Sequence, residues 1–272
     1  MQFGLAHEHA DFERRNATFV EVLPRLQETS RRAFIGEFQH DTAQMVVYML
    51  GRLALEDFQE IMLVCANGYG MAGLKLLRPM FEATITARYL RLHPEEAAIF
   101  LRYHYVHRRK TLKIAESVGV DLSDRYSQSQ IYEIESMYQE IKGHYRQVAC
   151  NDCGREGELT SSTKKDMVSM AREVGLERGV LVLYFFPTLQ IHSTPARLFS
   201  RLEESGEKLL FKHGPQRRVA DAALEGAHMC LNLVLENHDQ CFGLGLDEDG
   251  LLRDFEYAWP RLPKAGEGKG GL

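Results

Sequence analysis

The sequence predicts an all-α fold, a single-domain bundle of about eight to ten helices spanning residues 1–262. Three observations lead there. Leu74, Leu77, Phe81, Ile85, Tyr89 and Leu92 recur at steps of three and four, the spacing that stacks side chains on one helical face. The same spacing returns in segment after segment, with prolines and glycines falling between the segments as stops and turns. No internal repeat and no linker rich enough to divide the chain interrupts this pattern.

Residues 7–38 are charged and amphipathic, and Pro24 inside them predicts a helix, a break and a second helix. Asp41 is placed to cap the next helix, which carries Val46, Met49 and Leu53. A further helix is expected to start near Glu56 or Asp57. Gly68 then supplies a turn, and the central helix follows over about 70–93. Arg78 and Glu82 lie four apart beside its apolar stripe, so they share a face. Pro94 stops that helix and opens the next, with Glu95 and Glu96 at the end where the helix dipole favours acids. That helix is expected to run to about Gly119, and another over 126–148. Residues 149–162 read as a polar loop, and 163–174 as a short helix ended by Gly175. Residues 176–192 are very apolar, and their length and surroundings favour a buried helix bent at Pro187 over a strand. Pro195 opens a short helix, 208–211 is a brief strand or a loop, and 215–241 is the last long helix. The end of the chain, KAGEGKGGL, has nothing to bury, so 263–272 are expected to form a disordered tail.

Composition narrows the class of function. The chain has 272 residues, 44% hydrophobic and 26% charged, with a formal net charge of −5. That balance argues against a strongly cationic nucleic-acid or membrane surface, while leaving room for a local basic patch. No apolar run approaches the ~20 residues that span a bilayer, so no membrane partner is expected. The start, MQFGLAHEHADFERR, lacks a basic segment followed by an apolar block, so it does not read as a secretory signal. Five cysteines without framework spacing fit a reducing compartment, and a cytoplasmic location is expected.

Several motifs carry chemistry on paper. Gly68, Gly70 and Gly73 match G-x-G-x-x-G, a dinucleotide-loop pattern, but a second helix follows where a Rossmann unit needs a parallel strand. A tight corner between two helices is the reading we prefer, and no cofactor is expected. Cys150-x-x-Cys153 is half of a zinc knuckle; His144 is a conceivable third ligand and no local fourth exists, so free cysteines are expected. Glu37-x-x-His40 and Glu225-x-x-His228 resemble di-iron carboxylate motifs, which would also need inward acids such as Glu60 and Glu82. Arg88 to His93 and Arg102 to His107 are R-x-x-x-x-H strings that resemble the pattern of HEPN-type ribonucleases. Such enzymes need a cation and a general acid/base at the scissile phosphate. The Arg102 string is the better candidate, because it reads as mid-helix beside Arg108, Arg109 and Lys110; the competing reading is a solvated basic face. His192 ends the apolar helix that carries Tyr184, a position the helix dipole favours for histidine.

The run NGYGMAGLKLLRPMFEA, followed much later by a tyrosine and H-S-T-P, resembles the bacterial family called domain of unknown function 5677. Over residues 41–195 the resemblance matches the family's helical arginine and glutamate to Arg78 and Glu82, and its later tyrosine and histidine to Tyr184 and His192. It implies an all-helical intracellular protein with no established activity. Pro79 departs from the small residue usual after the arginine, which predicts a kink.

The leading expectation is therefore an interior cluster of Arg78, Glu82, Tyr184 and His192. If it faces a cleft it is a small-ligand or anion site, with His192 as acid/base, Arg78 as anion binder and Glu82 orienting one of them. Two alternatives stay open: an RNA-cleaving or RNA-binding HEPN-like dimer using Arg102 and His107, and a non-enzymatic helical partner-binding protein. A homo-oligomer is expected, and a metal site is not.

Overall fold

The computed structural model describes residues 6–35, 41–148, 156–158, 162–205, 208–211 and 214–260. In chain order the helices are α1 (Ala6–Arg15), α2 (Ala17–Phe34), α3 (Thr42–Ala66), α4 (Gly70–Leu92), α5 (Ala97–Arg102), α6 (His104–Ser117) and α7 (Gln128–Ile141). They continue as α8 (Met167–Glu173), α9 (Phe186–Ile191), α10 (Pro195–Phe199), α11 (Arg217–Phe242) and α12 (Glu248–Ala258). A hairpin of β1 (Arg146–Val148) and β2 (Glu156–Glu158) follows α7, and a second of β3 (Leu202–Ser205) and β4 (Lys208–Phe211) follows α10. The fold is all-α apart from these two antiparallel ribbons.

Helices α3, α4 and α11 pack on one another as the centre of the core. Ile61 of α3, Leu77, Phe81, Ile85 and Tyr89 of α4, and Leu224 of α11 are fully buried between them. The stripe along α4 read from the sequence is thus its buried face, except for Leu74, which is partly buried, and Leu92, which is half exposed. Glycines set how closely the three helices approach. A Cβ on Gly70 would lie 2.4 Å from the Ala220 backbone nitrogen, and one on Gly73 would lie 2.4 Å from the Cys65 Sγ. Gly68 turns the chain with φ +79, and its carbonyl accepts from the Gln216 backbone N–H at 3.0 Å. The G-x-G-x-x-G match is therefore a corner from helix to helix, with no strand before it.

Helix α1 is held to α11 by polar groups. Glu8 is almost fully buried and accepts two bonds from Arg217, at 2.9 and 2.7 Å. The Asn16 amide reaches the Asp221 carboxylate at 3.0 Å. This locates the break between the first two helices at Asn16 and corrects its expected place at Pro24. Pro24 instead lies inside α2 on the solvent side, where water can take up the carbonyl it leaves unpaired.

Other boundaries also moved. Asp41 caps α3 in a capping box with Gln44, as expected, but no second helix starts at Glu56. Ala54, Leu55, Phe58 and Ile61 carry the buried stripe straight through, and α3 runs 25 residues. Pro94 ends α4 and opens a 3₁₀ turn into α5, as read, yet the helix breaks at Tyr103 before α6. Helix α7 stops at Ile141 and leads through a 3₁₀ turn into β1. Helices α6 and α7 pack on each other through Val106, Tyr138 and Ile141, a small cluster apart from the main core. Helix α12 has no counterpart in the sequence reading, although Asp247 caps it. The tail 263–272, Cys150, Cys153, Glu37 and His40 lie outside the described residues.

The largest correction concerns 176–192. The segment forms a 3₁₀ turn, a π-helical turn (Val180–Phe185) and α9, and it lies on the surface. Leu183 and Pro187 are buried against the core, whereas Leu181, Val182, Phe185 and Phe186 are 47–54% exposed. Leu183 fits against Gly226 of α11, where a Cβ would come within 2.8 Å of it. Leu183 and Pro187 are thus the buried residues of the run, Leu176, Val180 and Tyr184 pack on the core partly buried, and Leu181, Val182, Phe185 and Phe186 face out.

Candidate functional site

Helix α4 brings Lys75, Arg78 and Glu82 to one face, because residues three and four apart are neighbours on a helix. The Arg78 Nε donates to Glu82 Oε1 at 2.7 Å. The same guanidinium lies over the Tyr184 ring, 4.7 Å from its centroid. Arg78 and Glu82 keep 24% and 35% of their side-chain surface exposed, so the trio is half-buried at a helix junction and not interior. Pro79 is accommodated within α4 without ending it. With its charge matched by Glu82 and its plane stacked on Tyr184, Arg78 is held rigidly in place.

Tyr184 belongs to the π-helical turn, and its carbonyl accepts from the Thr188 hydroxyl at 2.6 Å. Along the same segment His192 is the residue after α9, in extended conformation and exposed. It follows Tyr184 by eight residues. At helical rise that is on the order of 10 Å along the axis, so His192 belongs to the far end of the segment.

What surrounds that end is a cleft of about 380 Å³. Lys75 and Met71 line it from α4, Gln190 from α9, Ser193 and Thr194 from the connecting turn, and Arg197 and Arg201 from α10 and its end. Thr194 fixes the turn, donating to the Leu189 carbonyl at 2.9 Å and accepting from the Arg197 backbone N–H at 3.2 Å. The Arg201 guanidinium lies 5.4 Å from the Phe211 ring centroid, which orients it along the wall. Among the described residues no carboxylate lines this cleft. Among the described residues, none of Lys75, Arg197 and Arg201 pairs with an acid. These three cations were missed by the sequence reading. The i, i+4 spacing of Arg197 and Arg201 was a usable signal, but nothing local announces that Lys75 joins them.

The other motifs are engaged elsewhere. Arg88 donates to Glu236 at 2.7 Å, and His93 meets Glu173 at 2.6 Å and packs on the Tyr89 ring. Arg102 is paired with Glu140 and ends α5, while His107 sits exposed in α6 against Tyr103, so the string spans a helix break. His228 is buried and its Nδ1 accepts from the Trp259 indole at 3.1 Å, and burial pushes its imidazole down to about 4. With Glu82 taken by Arg78, the acids proposed to complete a carboxylate set around His228 do not assemble; Glu60 is exposed. Among the described residues, His93, Glu95 and Glu96 do bring ligand atoms within 4.8 Å of one another. Glu96 already accepts the Tyr89 hydroxyl at 2.8 Å, and Glu173 holds the His93 ring.

A larger cleft, about 750 Å³, lies between α11 and α12. Its floor includes Met229, Phe255 and Trp259, and its rim carries Glu225, Glu236 and Glu248. Burial and the nearby Glu236 carboxylate push Glu248 above its usual range.

A sequence profile described as Family of unknown function (DUF5677) matches residues 44–209, more than half of the chain. The chain belongs to this family. The matched region of this DUF5677 member runs from α3 to the start of β4, so it contains Lys75, Arg78, Glu82, Tyr184, His192, Arg197 and Arg201 and leaves out α11 and α12. The resemblance noted at Arg78, Glu82, Tyr184 and His192 thus falls within it. No curated protein and no solved structure matches the chain. No helix among the described residues is long and apolar enough to cross a membrane.

Proposed function

We propose that this protein binds a small anionic ligand, one bearing a phosphate or carboxylate group, in the cleft between α4 and the 190–201 segment. One observation carries the reading: three cations line a single cleft that has no acid in its wall among the described residues. Uncompensated cations gathered at one concave site favour an anion, and arginine forks match phosphate and carboxylate oxygens. Ser193 and Thr194 add hydroxyls at the same wall. In this reading Arg78, Glu82 and Tyr184 are a positioning group that sets the 180–192 segment on α4, and His192 stands at the cleft's edge as a further donor. Binding is the function proposed; the geometry supports no particular reaction. We place this role in a cytoplasmic homo-oligomer whose residues 1–262 act as one domain. The RNA-cleaving alternative is less favoured, because Arg102 is neutralised by Glu140.

Thermal unfolding with inorganic phosphate tests it. A ligand that binds only the folded state at about 100 times its Kd stabilises by ~2.7 kcal/mol, which raises the melting temperature of a chain this size by several degrees. Sodium chloride at matched ionic strength should not reproduce the shift. In Arg197→Ala combined with Arg201→Ala the shift should vanish while the fold persists. A shift that survives both substitutions would place the anion elsewhere and end the proposal.

A further inference from the structure

Between residues 181 and 211 ten large apolar side chains are 37–71% exposed, among them Phe185, Phe186, Leu198, Phe199, Leu210 and Phe211. All ten lie on the segment between α8 and α11, and within it Leu198 and Phe211 share one cleft wall with Gln190 of α9. At roughly 100 Å² each, about half of what a large side chain exposes, ten such residues offer on the order of 1,000 Å². A stable interface takes ~800 Å² from each partner, an area of the same order as this segment exposes in apolar side chains.

The β3–β4 hairpin adds a second, independent observation. It pairs with no other strand among the described residues, and a lone two-stranded ribbon is marginal in water. Its two edges differ. Strand β3 reads LEES, with two acids in its sequence, while β4 reads KLLF, with three apolar residues. Leu209, Leu210 and Phe211 are 65%, 50% and 55% exposed, so both faces of β4 are apolar and open. An antiparallel pair of identical edge strands is two-fold by construction, the commonest symmetry of soluble oligomers.

We propose that this face seats a second copy of the chain in a two-fold dimer, with the β4 edges of the two copies paired into a four-stranded sheet. The proposal rests on the homo-oligomer reading above and names its surface. Leu198 and Phe211 belong both to this face and to the cleft, so the second copy would roof the anion site at one end.

Sedimentation velocity on the full chain at concentrations up to about 100 µM decides it, since an interface of this area gives micromolar or tighter association. The parent chain should sediment as a dimer, and Phe186→Asp and Leu210→Asp should each give a monomer with unchanged far-ultraviolet dichroism. Should either variant misfold, Leu210→Cys serves instead: a short bis-maleimide should give a 210–210 cross-link between two copies, located by peptide mapping and distinct from any link through the parent's own cysteines. A parent that stays monomeric overturns both this proposal and the homo-oligomer reading. A dimer that persists in both aspartate variants, or a Leu210→Cys chain that does not couple, overturns the proposed surface alone.

Discussion

At the scale of single residues, the polar groups divide into those bound for good and those left over. Arg78 is bound: Glu82 takes its charge and Tyr184 its plane. Arg78→Lys keeps the charge and loses the stacked fork, so it should cost about 1 kcal/mol in urea unfolding. Two histidines give the fold a pH dependence with a definite sign. Burial pushes both His228 and His238 down to about 4, from an ordinary value of 6.5. In the fold they stay neutral, while in the unfolded chain they take up protons below about 6.5. The unfolded state therefore holds more protons between those values, and stability falls as pH drops from about 6.5 towards 4. Each full shift is worth at most about 3 kcal/mol. His238 is fully buried among Phe34, Tyr48 and Phe242, so His238→Leu should flatten the profile between pH 7 and 4.5. A profile as steep as the parent's would assign the loss to other groups.

At the scale of elements, the glycine corner makes the sharpest demand. Gly70→Ala puts a Cβ against α11 backbone atoms that cannot swing aside, and should cost about 3 kcal/mol or prevent folding. Gly73→Ala meets only the Cys65 thiol, so Cys65→Ala should recover much of its cost in a double-mutant cycle. Strictly additive effects would show that the clash is relieved elsewhere. The elements that were legible in the sequence are those whose signals are local. Spacing announced α4, an aspartate announced the start of α3, and Pro94 announced the turn into α5. What was not legible depends on partners far along the chain. The apolar run at 176–192 looks like a buried helix, yet only Leu183 and Pro187 of it are buried, and Leu181, Val182, Phe185 and Phe186 stay exposed. Likewise the cleft takes one cation from α4 and two from beyond Pro195, and only folding brings them together. Arg78, Glu82 and Tyr184 were legible as a group because a family likeness tied them, and they do meet.

At the scale of the whole molecule, burial is concentrated in α3, α4 and α11 and thin in the 176–211 segment. Hydrogen exchange should reflect this: the slowest amides in the three long helices, opening only with global unfolding, and far faster exchange through 180–211. Ligand or a second copy should slow the latter set first, because both engage that segment. The family match ends at 209, before α11 begins at Arg217, so the matched stretch by itself lacks one of the three helices that close the core. That arrangement also has a meaning in time. Helix α4 ends at Leu92, and its Gly70 packs on the start of α11, which begins at Arg217. At ~5–20 residues per second the ribosome needs on the order of ten seconds to make the intervening stretch. Throughout that interval a bare pair of long apolar helices leaves the ribosome without its third member. The glycine corner that packs the finished core so closely thus obliges the growing chain to wait, and makes a holding chaperone most useful to it before residue 217 emerges.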